Sequence, residues 1–452
     1  MLRAMNPSDT IAACATPAGH SSIAVIRMSG EQAIPLLYKI FRFTEATLPV
    51  QAQRAYHGHI VDSETGETID TALATAFHKP SSYTGEDVVE LSCHGNPLIV
   101  DRIMRLLIAH GARVANRGEF TKRALLNGKV DLIQAEAVLD TVTATSEQAR
   151  RLALLQYEGK LSEQIYEIRS KIVDQLFLVE AEIDFPDEED VGLNQNEFTQ
   201  DLTAIIGVVD SLLSGASLGV KIKEGYRVLI LGRANVGKST LFNRMLGHDR
   251  AIVHEQPGTT RDFLEECIQI RGVQVRLFDT AGIFSTLPGP DSMAQQRTRS
   301  LIDNADLILL VFDGSESLNE EDVRLYDLVK LKQKLLVVNK TDLNVKLVNE
   351  SILSDSVKIS AKTGDNVEYL LDRIKSTLLP DESRDDMLIT RHRHIDALTK
   401  ARRCLVDAKN APTIETTAYE LHSALNVLGE LTGHVLRKEL LDRIFEEFCI
   451  GK

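Results

Sequence analysis

The stretch Arg227–Thr240, RVLILGRANVGKST, decides how this chain is read. Val228–Leu231 is a run of β-branched and aliphatic residues; Gly232-x-x-x-x-Gly237-Lys238-Ser239 follows, and Leu241-Phe242-Asn243-Arg244-Met245-Leu246 continues as a helical pattern. Strand, glycine-bounded loop and helix in that order make a phosphate-binding loop. The glycines let successive backbone N–H groups turn inward around an anion at the positive end of a helix. Lys238 then reaches the outer phosphates, the Ser239 hydroxyl can ligate Mg²⁺, and Asn235, Val236, Gly237 and Thr240 complete the cradle.

Three later segments fall in the order of a guanine-nucleotide domain. Val275–Phe278 alternates as a strand and delivers Asp279-Thr280-Ala281-Gly282, where an acid can hold Mg²⁺ through water and a glycine N–H can meet a γ-phosphate. Leu335–Val338 is a strand ending in Asn339-Lys340-Thr341-Asp342, and Val357–Ile359 ends in Ser360-Ala361-Lys362. These two ends form the expected base pocket. An ionised Asp342 only accepts hydrogen bonds, which suits the two N–H donors on guanine's edge and not adenine. In a shielded pocket the mismatch costs a few kcal/mol, on the order of a hundredfold in preference. Asn339 and the Ala361 N–H complete the recognition. A small-GTPase template carries a water-orienting Gln directly after Asp-x-x-Gly, whereas Ile283 stands here, so the chemistry needs a substitute. Asn235 offers a side-chain oxygen for a monovalent cation between the phosphates, or it merely stabilises its loop.

With 452 residues the chain is long enough for two or three domains, and a hydrophobic content of 43% is ordinary for globular cores. No uninterrupted apolar stretch of about 18 residues occurs, so no membrane span is expected. The N-terminus lacks the apolar core of a signal peptide. Five cysteines, Cys14, Cys93, Cys267, Cys404 and Cys449, are scattered without a C-x-x-C, which points to reduced thiols in a cytoplasm and away from zinc. Cys93-His94 reads as packing rather than a ligand pair. The net charge of −14 repels nucleic acid in bulk, so RNA contact would need local patches. Candidates are Arg102, Arg105, Arg113, Arg117, Lys122, Arg123 and Lys129, and Arg391, Arg393, Lys400, Arg402, Arg403 and Lys409, against a bland alternative of solvated helix faces.

Residues 1–122 mix strands, such as Ile23–Arg27 and Val88–Leu91, with a helix over Pro97–His110 that has Pro near its start and Gly111 past its end. An α+β domain is expected there. Beyond it Ile165, Ile168, Ile172, Leu176, Val179 and Ile183 recur at spacings of three and four, a bundle-core stripe ending in the acidic turn Asp184–Asp190. Helical patterns return over 391–409, 414–430 and 434–449. The economical organisation is multidomain: an N-terminal domain over 1–122, a helical bundle over 123–220 and 379–452, and an α/β Ras-like GTPase domain over 221–378 inserted in it. Two separate helical domains would leave the same pattern.

Several segments together resemble the tRNA-modification GTPases of the MnmE (TrmE) family, from end to end. They are Ile26-Arg27-Met28-Ser29-Gly30, Tyr83-Thr84-Gly85-Glu86-Asp87, Gly118-Glu119-Phe120-Thr121, Asp131-Leu132-Ile133-Gln134-Ala135-Glu136-Ala137, Ile183-Asp184-Phe185-Pro186, Gly258-Thr259-Thr260-Arg261-Asp262 and the terminal Phe448-Cys449-Ile450-Gly451-Lys452. The resemblance implies a K⁺-activated GTPase whose nucleotide domains dimerise. K⁺ would be held by Asn235 and Thr259 with backbone oxygens of His254 and Gln256, and Mg²⁺ by Ser239 and Thr260. The loop His254, Glu255, Gln256, Pro257, Gly258, Thr259, Thr260 would join Asp279, Thr280, Ala281, Gly282, Asn339, Lys340, Asp342, Ser360, Ala361 and Lys362 around GTP or GDP. The catalytic carboxylate of the family is a Glu; counting back from Ala305-Asp306 places Asp291 there, one methylene shorter.

The resemblance further implies that the N-terminal domain binds 5-formyl-tetrahydrofolate or a related derivative and makes a homodimer. Its folate contacts would be Arg27, Glu90, Lys129 and Lys452. The partner would be the FAD-dependent GidA (MnmG), in a heterotetramer that adds an aminomethyl or carboxymethylaminomethyl group at carbon 5 of the wobble uridine of certain tRNAs. Cys449 reads as a packing residue, since nothing near it in sequence would lower its pKa. An RNA-associated switch of ribosome assembly would share the nucleotide domain but has no reason to carry Arg27, Glu90 and the terminal Cys-Ile-Gly-Lys together.

Overall fold

Apolar residues at alternate positions build the first sheet. In β2 (Ser21–Ser29) Ala24, Ile26 and Met28 are buried, while Val25 and Arg27 face the other way. It pairs antiparallel with β1 (Ile11–Cys14) on one side and β6 (Val88–Gly95) on the other. With β3 (Phe41–Phe43), β4 (Ala55–Val61), β5 (Thr68–Phe77) and β7 (Arg113–Val114) the sheet has seven strands in the order β3-β4-β5-β6-β2-β1-β7. Helices α1 (Ala33–Ile40) and α2 (Pro97–Ala109) cover the core face through Leu36, Leu37, Ile40, Ile103 and Leu107. Asn96 caps α2, its side chain accepting the Leu98 N–H at 2.9 Å, and Pro97 opens the helix where its missing N–H costs nothing. Gly111, at φ +99°, ends it.

The computed structural model describes residues 9–45, 49–185, 194–248, 264–279, 293–344, 346, 353–379, 389–435 and 438–452. It divides into two units, one of residues 1–139, 162–166 and 425–452, the other of residues 140–161 and 167–424. In the first, α3 (Glu119–Leu126) and the start of α4 (Leu132–Thr143) meet α14 (Lys438–Glu446) through Leu125, Leu132, Leu139, Leu441, Phe445 and Phe448. The helical pattern at 434–449 stops early, at Glu446. Phe448 is buried, Arg117 bridges to Ile450, and Gly451 takes φ +98° so the tail can run against Cys14.

In the second unit β8 (Tyr226–Leu231), β9 (Leu264–Ile270), β10 (Val273–Asp279), β11 (Leu307–Asp313), β12 (Lys334–Asn339) and β13 (Val357–Lys358) form a six-stranded sheet ordered β13-β12-β11-β8-β10-β9. Only β9 runs antiparallel. Central β11 is buried at every position, as a strand covered on both faces must be. One face packs on α8 (Lys238–His248) and α11 (Val367–Leu378), with Ala149 and Leu152 of α5 (Glu147–Tyr157) joining that core. The other packs on α9 (Met293–Asn304) and α10 (Glu320–Leu328). This is the Ras-like arrangement expected, with ligand loops at the carboxyl ends of the strands.

The stripe on α6 (Lys160–Asp184) is buried from Ile165 to Val179, with Ile183 only partly covered. Helix α7 (Gln195–Glu224) runs straight into β8, and α12 (His392–Lys409) lies along α7, with Arg402 on Asp210 and Lys409 Nζ 2.8 Å from Thr203. Helix α13 (Ile414–Thr432) follows. Helix α7 is long and apolar enough by length and composition to cross a membrane, its most apolar 18 residues reaching a mean hydropathy of 1.6, but Asp210 interrupts it, so the expectation of no uninterrupted apolar stretch stands. Phe198, Leu202, Ile205, Val209 and Leu212 bury one side of it, which accounts for the composition in a packed helix.

Candidate functional site: a phosphate loop and a base loop joined through Asn339

Between β8 and α8 the glycine loop closes tightly. A Cβ on Gly232 would lie 2.4 Å from the Val311 carbonyl, and one on Gly237, where φ is +96°, would lie 2.3 Å from Asn339 Nδ2. Only glycine fits either place. Lys238, 5% exposed, folds its ammonium back onto the carbonyls of Gly232 and Arg233, each at 2.8 Å. Burial lowers its pKa, against the nearby Asp279 and Glu321. Ser239 Oγ donates to Asp279 Oδ2 at 2.9 Å, so a hydroxyl and a carboxylate already share one spot. An all-oxygen pair of that kind suits Mg²⁺. Asn235 is exposed at the tip of the loop in left-handed backbone, φ +64°. Val236 is fully buried, and Thr240 faces a cleft.

The base segments converge on the same loop. Asn339, 2% exposed, donates from Nδ2 to the Val236 carbonyl at 2.8 Å and accepts the Ala361 N–H on Oδ1 at 2.9 Å. One amide therefore ties phosphate loop to base loop. Lys340 sits at φ +65° with Nζ 2.6 Å from Asp313 Oδ2. Asp342 accepts from Ser360 Oγ at 2.7 Å, which holds its carboxyl below the usual carboxylate range. It is exposed, so the shielded pocket expected around it is corrected: Ser360 orients Asp342, and burial does not. Lys362 contributes its carbonyl to Arg244 of α8.

Sequence reasoning passed over three residues here. Asp313 ends an apolar strand as Asp279 does, and that signal was available. Arg233, paired with Glu316 and with Asp322 of α10, and Arg244 carry no signal in the sequence, because their partners lie about 80 to 118 positions away. His254, Glu255, Gln256, Pro257, Gly258, Thr259, Thr260, Thr280, Ala281, Gly282, Ile283 and Asp291 lie outside the described residues.

In the first unit Arg27 and Glu90 are cross-strand neighbours, with Nε and a terminal nitrogen of Arg27 at 2.9 and 2.8 Å from Glu90 Oε1. The Arg27 guanidinium also lies 5.7 Å from the ring centroids of Tyr83 and of Phe120, and donates to the Gly451 carbonyl at 3.3 Å. Lys452 is therefore brought to the same place; burial lowers its pKa, Cys449 works against this, and Arg27 adds to it. Lys129 instead holds the 80–85 loop, donating to the Pro80 carbonyl at 3.1 Å and packing beside Gly85. The packing role expected for Cys449 is overturned: its side chain is exposed, and Phe448 fills the core instead. Cys93 is buried as expected, with its thiol pushed up to about 11 by burial first, while His94 pairs with Asp70 at 2.8 Å.

Both basic clusters are largely consumed within the fold. Arg102 pairs with Glu67, Arg105 with Asp101, Arg113 with Glu119, Lys122 with Asp442 and Arg123 with Glu86. Arg391 pairs with Asp140, Arg402 with Asp210 and Arg403 with Asp407. Arg105 and Arg403 remain largely exposed within their pairs.

A Ras-like sheet carrying a lysine phosphate loop, an Asp279–Ser239 pair and an Asn339-linked base loop defines a P-loop GTPase. Comparison with known proteins carries this further. A family described as GTP-binding protein TrmE N-terminus matches residues 10–129, and one described as MnmE helical domain matches residues 132–449. The tRNA modification GTPase MnmE of Lactobacillus delbrueckii subsp. bulgaricus is 37% identical over all of both chains. That of Natranaerobius thermophilus is 39% identical over 98% of this chain and 99% of the relative, and that of Aquifex aeolicus 40% identical over 98% and 100%. The chain belongs to the MnmE family of tRNA modification GTPases.

Proposed function

We propose that the chain is a K⁺-activated, Mg²⁺-dependent GTPase that works in the cytoplasm as a homodimer. With GidA (MnmG) it adds an aminomethyl or carboxymethylaminomethyl group at carbon 5 of the tRNA wobble uridine, using a tetrahydrofolate one-carbon unit. The observation that carries the nucleotide reading is Asn339, which joins the Val236 carbonyl to the Ala361 N–H and so sets phosphate and base recognition in one frame. Ser239 and Asp279 would hold Mg²⁺ together with Thr260. Asn235, exposed on the loop tip, is free to turn its oxygen toward K⁺ beside Thr259 and the backbone of His254 and Gln256. Asp291 is proposed as the catalytic carboxylate.

The folate reading is supported by Arg27, Glu90 and Lys452 lying together beside the rings of Tyr83 and Phe120. A carboxylate, two cations and the partly exposed ring of Tyr83 suit a flat, donor-rich heterocycle with an acidic tail, while the Phe120 ring is fully buried. Lys129 would act there by fixing the 80–85 loop. The domain organisation proposed is a helical domain interrupted by the GTPase domain at 221–378, since α7 and α12, which flank that insertion, pack on each other.

The deciding experiment is nucleoside mass spectrometry of bulk tRNA from cells with and without the protein. Loss of 5-aminomethyl-type uridines, restored by wild type and not by Asp291→Asn, supports the reading; an unchanged profile removes it. Replacing KCl by NaCl at equal ionic strength should sharply slow GTP turnover, and equal rates would refute the K⁺ role.

A further inference from the structure

The loop that carries Tyr83 has its backbone fixed on both sides of that residue. Ser82 Oγ donates to the Glu86 carbonyl. The buried Thr84 shares a hydroxyl contact of 2.7 Å with Ser29, and its carbonyl accepts from Asn127 Nδ2 at 2.7 Å. Glu86 is gripped by Ser29 and by Arg123 of α3. What these bonds leave open is the direction of the Tyr83 side chain, a matter of two torsions. That side chain packs against Ile11, Ala13, Ala115 and Phe120. Its hydroxyl meets Thr121 Oγ1 at 2.8 Å, across 38 positions of sequence. Thr121 is fully buried on α3, so water cannot take over the bond. The ring so held has its centroid 5.7 Å from the Arg27 guanidinium, within cation–π range. Arg27 meanwhile directs its nitrogens at Glu90 and at the Gly451 carbonyl.

We infer that Thr121 is a positioning residue of this site: through the Tyr83 hydroxyl it keeps the ring beside the Arg27–Glu90 pair, where a flat ligand ring can lie against it. The inference rests on the folate reading of the site. A side chain fixed before binding need not be immobilised by the ligand, whereas one that turns about its torsions must be ordered as the ligand arrives, and affinity falls accordingly. Phe120, the other ring at 5.7 Å from Arg27, is fully buried, so Tyr83 presents the aromatic surface that a ligand can reach. Thr121 has no exposed surface and acts only through Tyr83.

The test is isothermal titration of the full-length protein with 5-formyl-tetrahydrofolate, beside melting temperatures measured without ligand. Thr121→Val keeps the shape and removes the hydroxyl; it should weaken binding about fivefold, the scale of ordering one side chain. Tyr83→Phe keeps the ring and should weaken binding by the same factor. The double variant should bind no more weakly than either single one, because all three lack the same bond. Thr121→Ser, which keeps the hydroxyl, should recover most of the affinity. A bond that only supports the fold would lower the melting temperature and leave the dissociation constant alone. A wild-type dissociation constant in Thr121→Val, or single effects that multiply in the double variant, therefore overturns the inference. If Thr121→Val does not fold, Tyr83→Phe reads the same bond from its partly exposed end, and wild-type affinity there overturns it equally. A wild type that binds no 5-formyl-tetrahydrofolate overturns the folate reading itself, and the inference with it.

Discussion

Asp140 on α4 is 6% exposed and receives two cations at once. Lys223 lies 2.9 Å from it, and Arg391 grips it with two nitrogens at 2.6 and 3.1 Å. Lys223 is three residues before β8 begins, and Arg391 is the residue before α12, so one carboxylate holds the chain where it enters the nucleotide-binding sheet and where it returns. Asp140→Asn keeps the shape and removes the charge. Breaking a buried pair costs about 3–5 kcal/mol. Both cations are partly exposed and each has another interaction, which reduces the expectation to about 2 kcal/mol. For a unit of this size that lowers its melting temperature by roughly 4–8 °C. Hydrogen exchange should rise over 220–226 and 389–393, with the 9–135 sheet unchanged. A double-mutant cycle with Arg391→Met should show a coupling of about 1 kcal/mol or more. Wild-type melting and exchange, or strict additivity in the cycle, would refute the reasoning.

Three further outcomes are expected. Gly237→Ala puts a Cβ 2.3 Å from Asn339 Nδ2 at φ +96°, so it should displace Asn339 and weaken GDP binding at least about 30-fold by calorimetry while the far-UV spectrum stays unchanged. Gly451→Ala puts a Cβ 2.6 Å from the Cys14 carbonyl and should release the C-terminal tail, seen as faster exchange over 445–452, with GTP hydrolysis at the wild-type rate. Glu119 is 1% exposed; burial alone would raise its pKa, but the bonds from Arg113 and Asn116 outweigh this and hold it below 4.5. Its stabilisation is complete above the unfolded value and is lost as pH falls through the lower folded one, so the first unit should weaken as pH drops below about 4.5. Glu119→Gln should flatten that acid limb, though it lowers stability at neutral pH.

The strands and loops of the nucleotide domain were legible because each carries its own signal: an apolar run, then the glycines, acids and amides that a phosphate or a base requires. The α6 stripe and the proline start and glycine stop of α2 were legible by the same local rules. The C-terminal tail was not. Its helical pattern runs on past Glu446, yet burial of Phe448 and the bridge between Arg117 and Ile450 draw the chain out of the helix and leave Cys449 exposed. Arg102, Arg123, Arg391 and Arg402 of the two basic clusters likewise looked available because their partners Glu67, Glu86, Asp140 and Asp210 are distant in sequence.

What the sequence determined by itself is therefore the inventory and local form: a phosphate loop, an Asp-x-x-Gly element, an Asn-Lys-x-Asp strand end, and family motifs from Ile26 to Lys452. These depend on interactions within a few residues, where spacing alone decides geometry. The tertiary structure decided which of those groups act on one another. Asn339 joins two loops more than 100 positions apart, Arg244 reaches Ala361 across 117, and Arg27 meets the Gly451 carbonyl across 424. Such contacts follow from strand order and side-chain reach in the folded chain, because no periodicity along the sequence records which distant backbone group will face a given side chain.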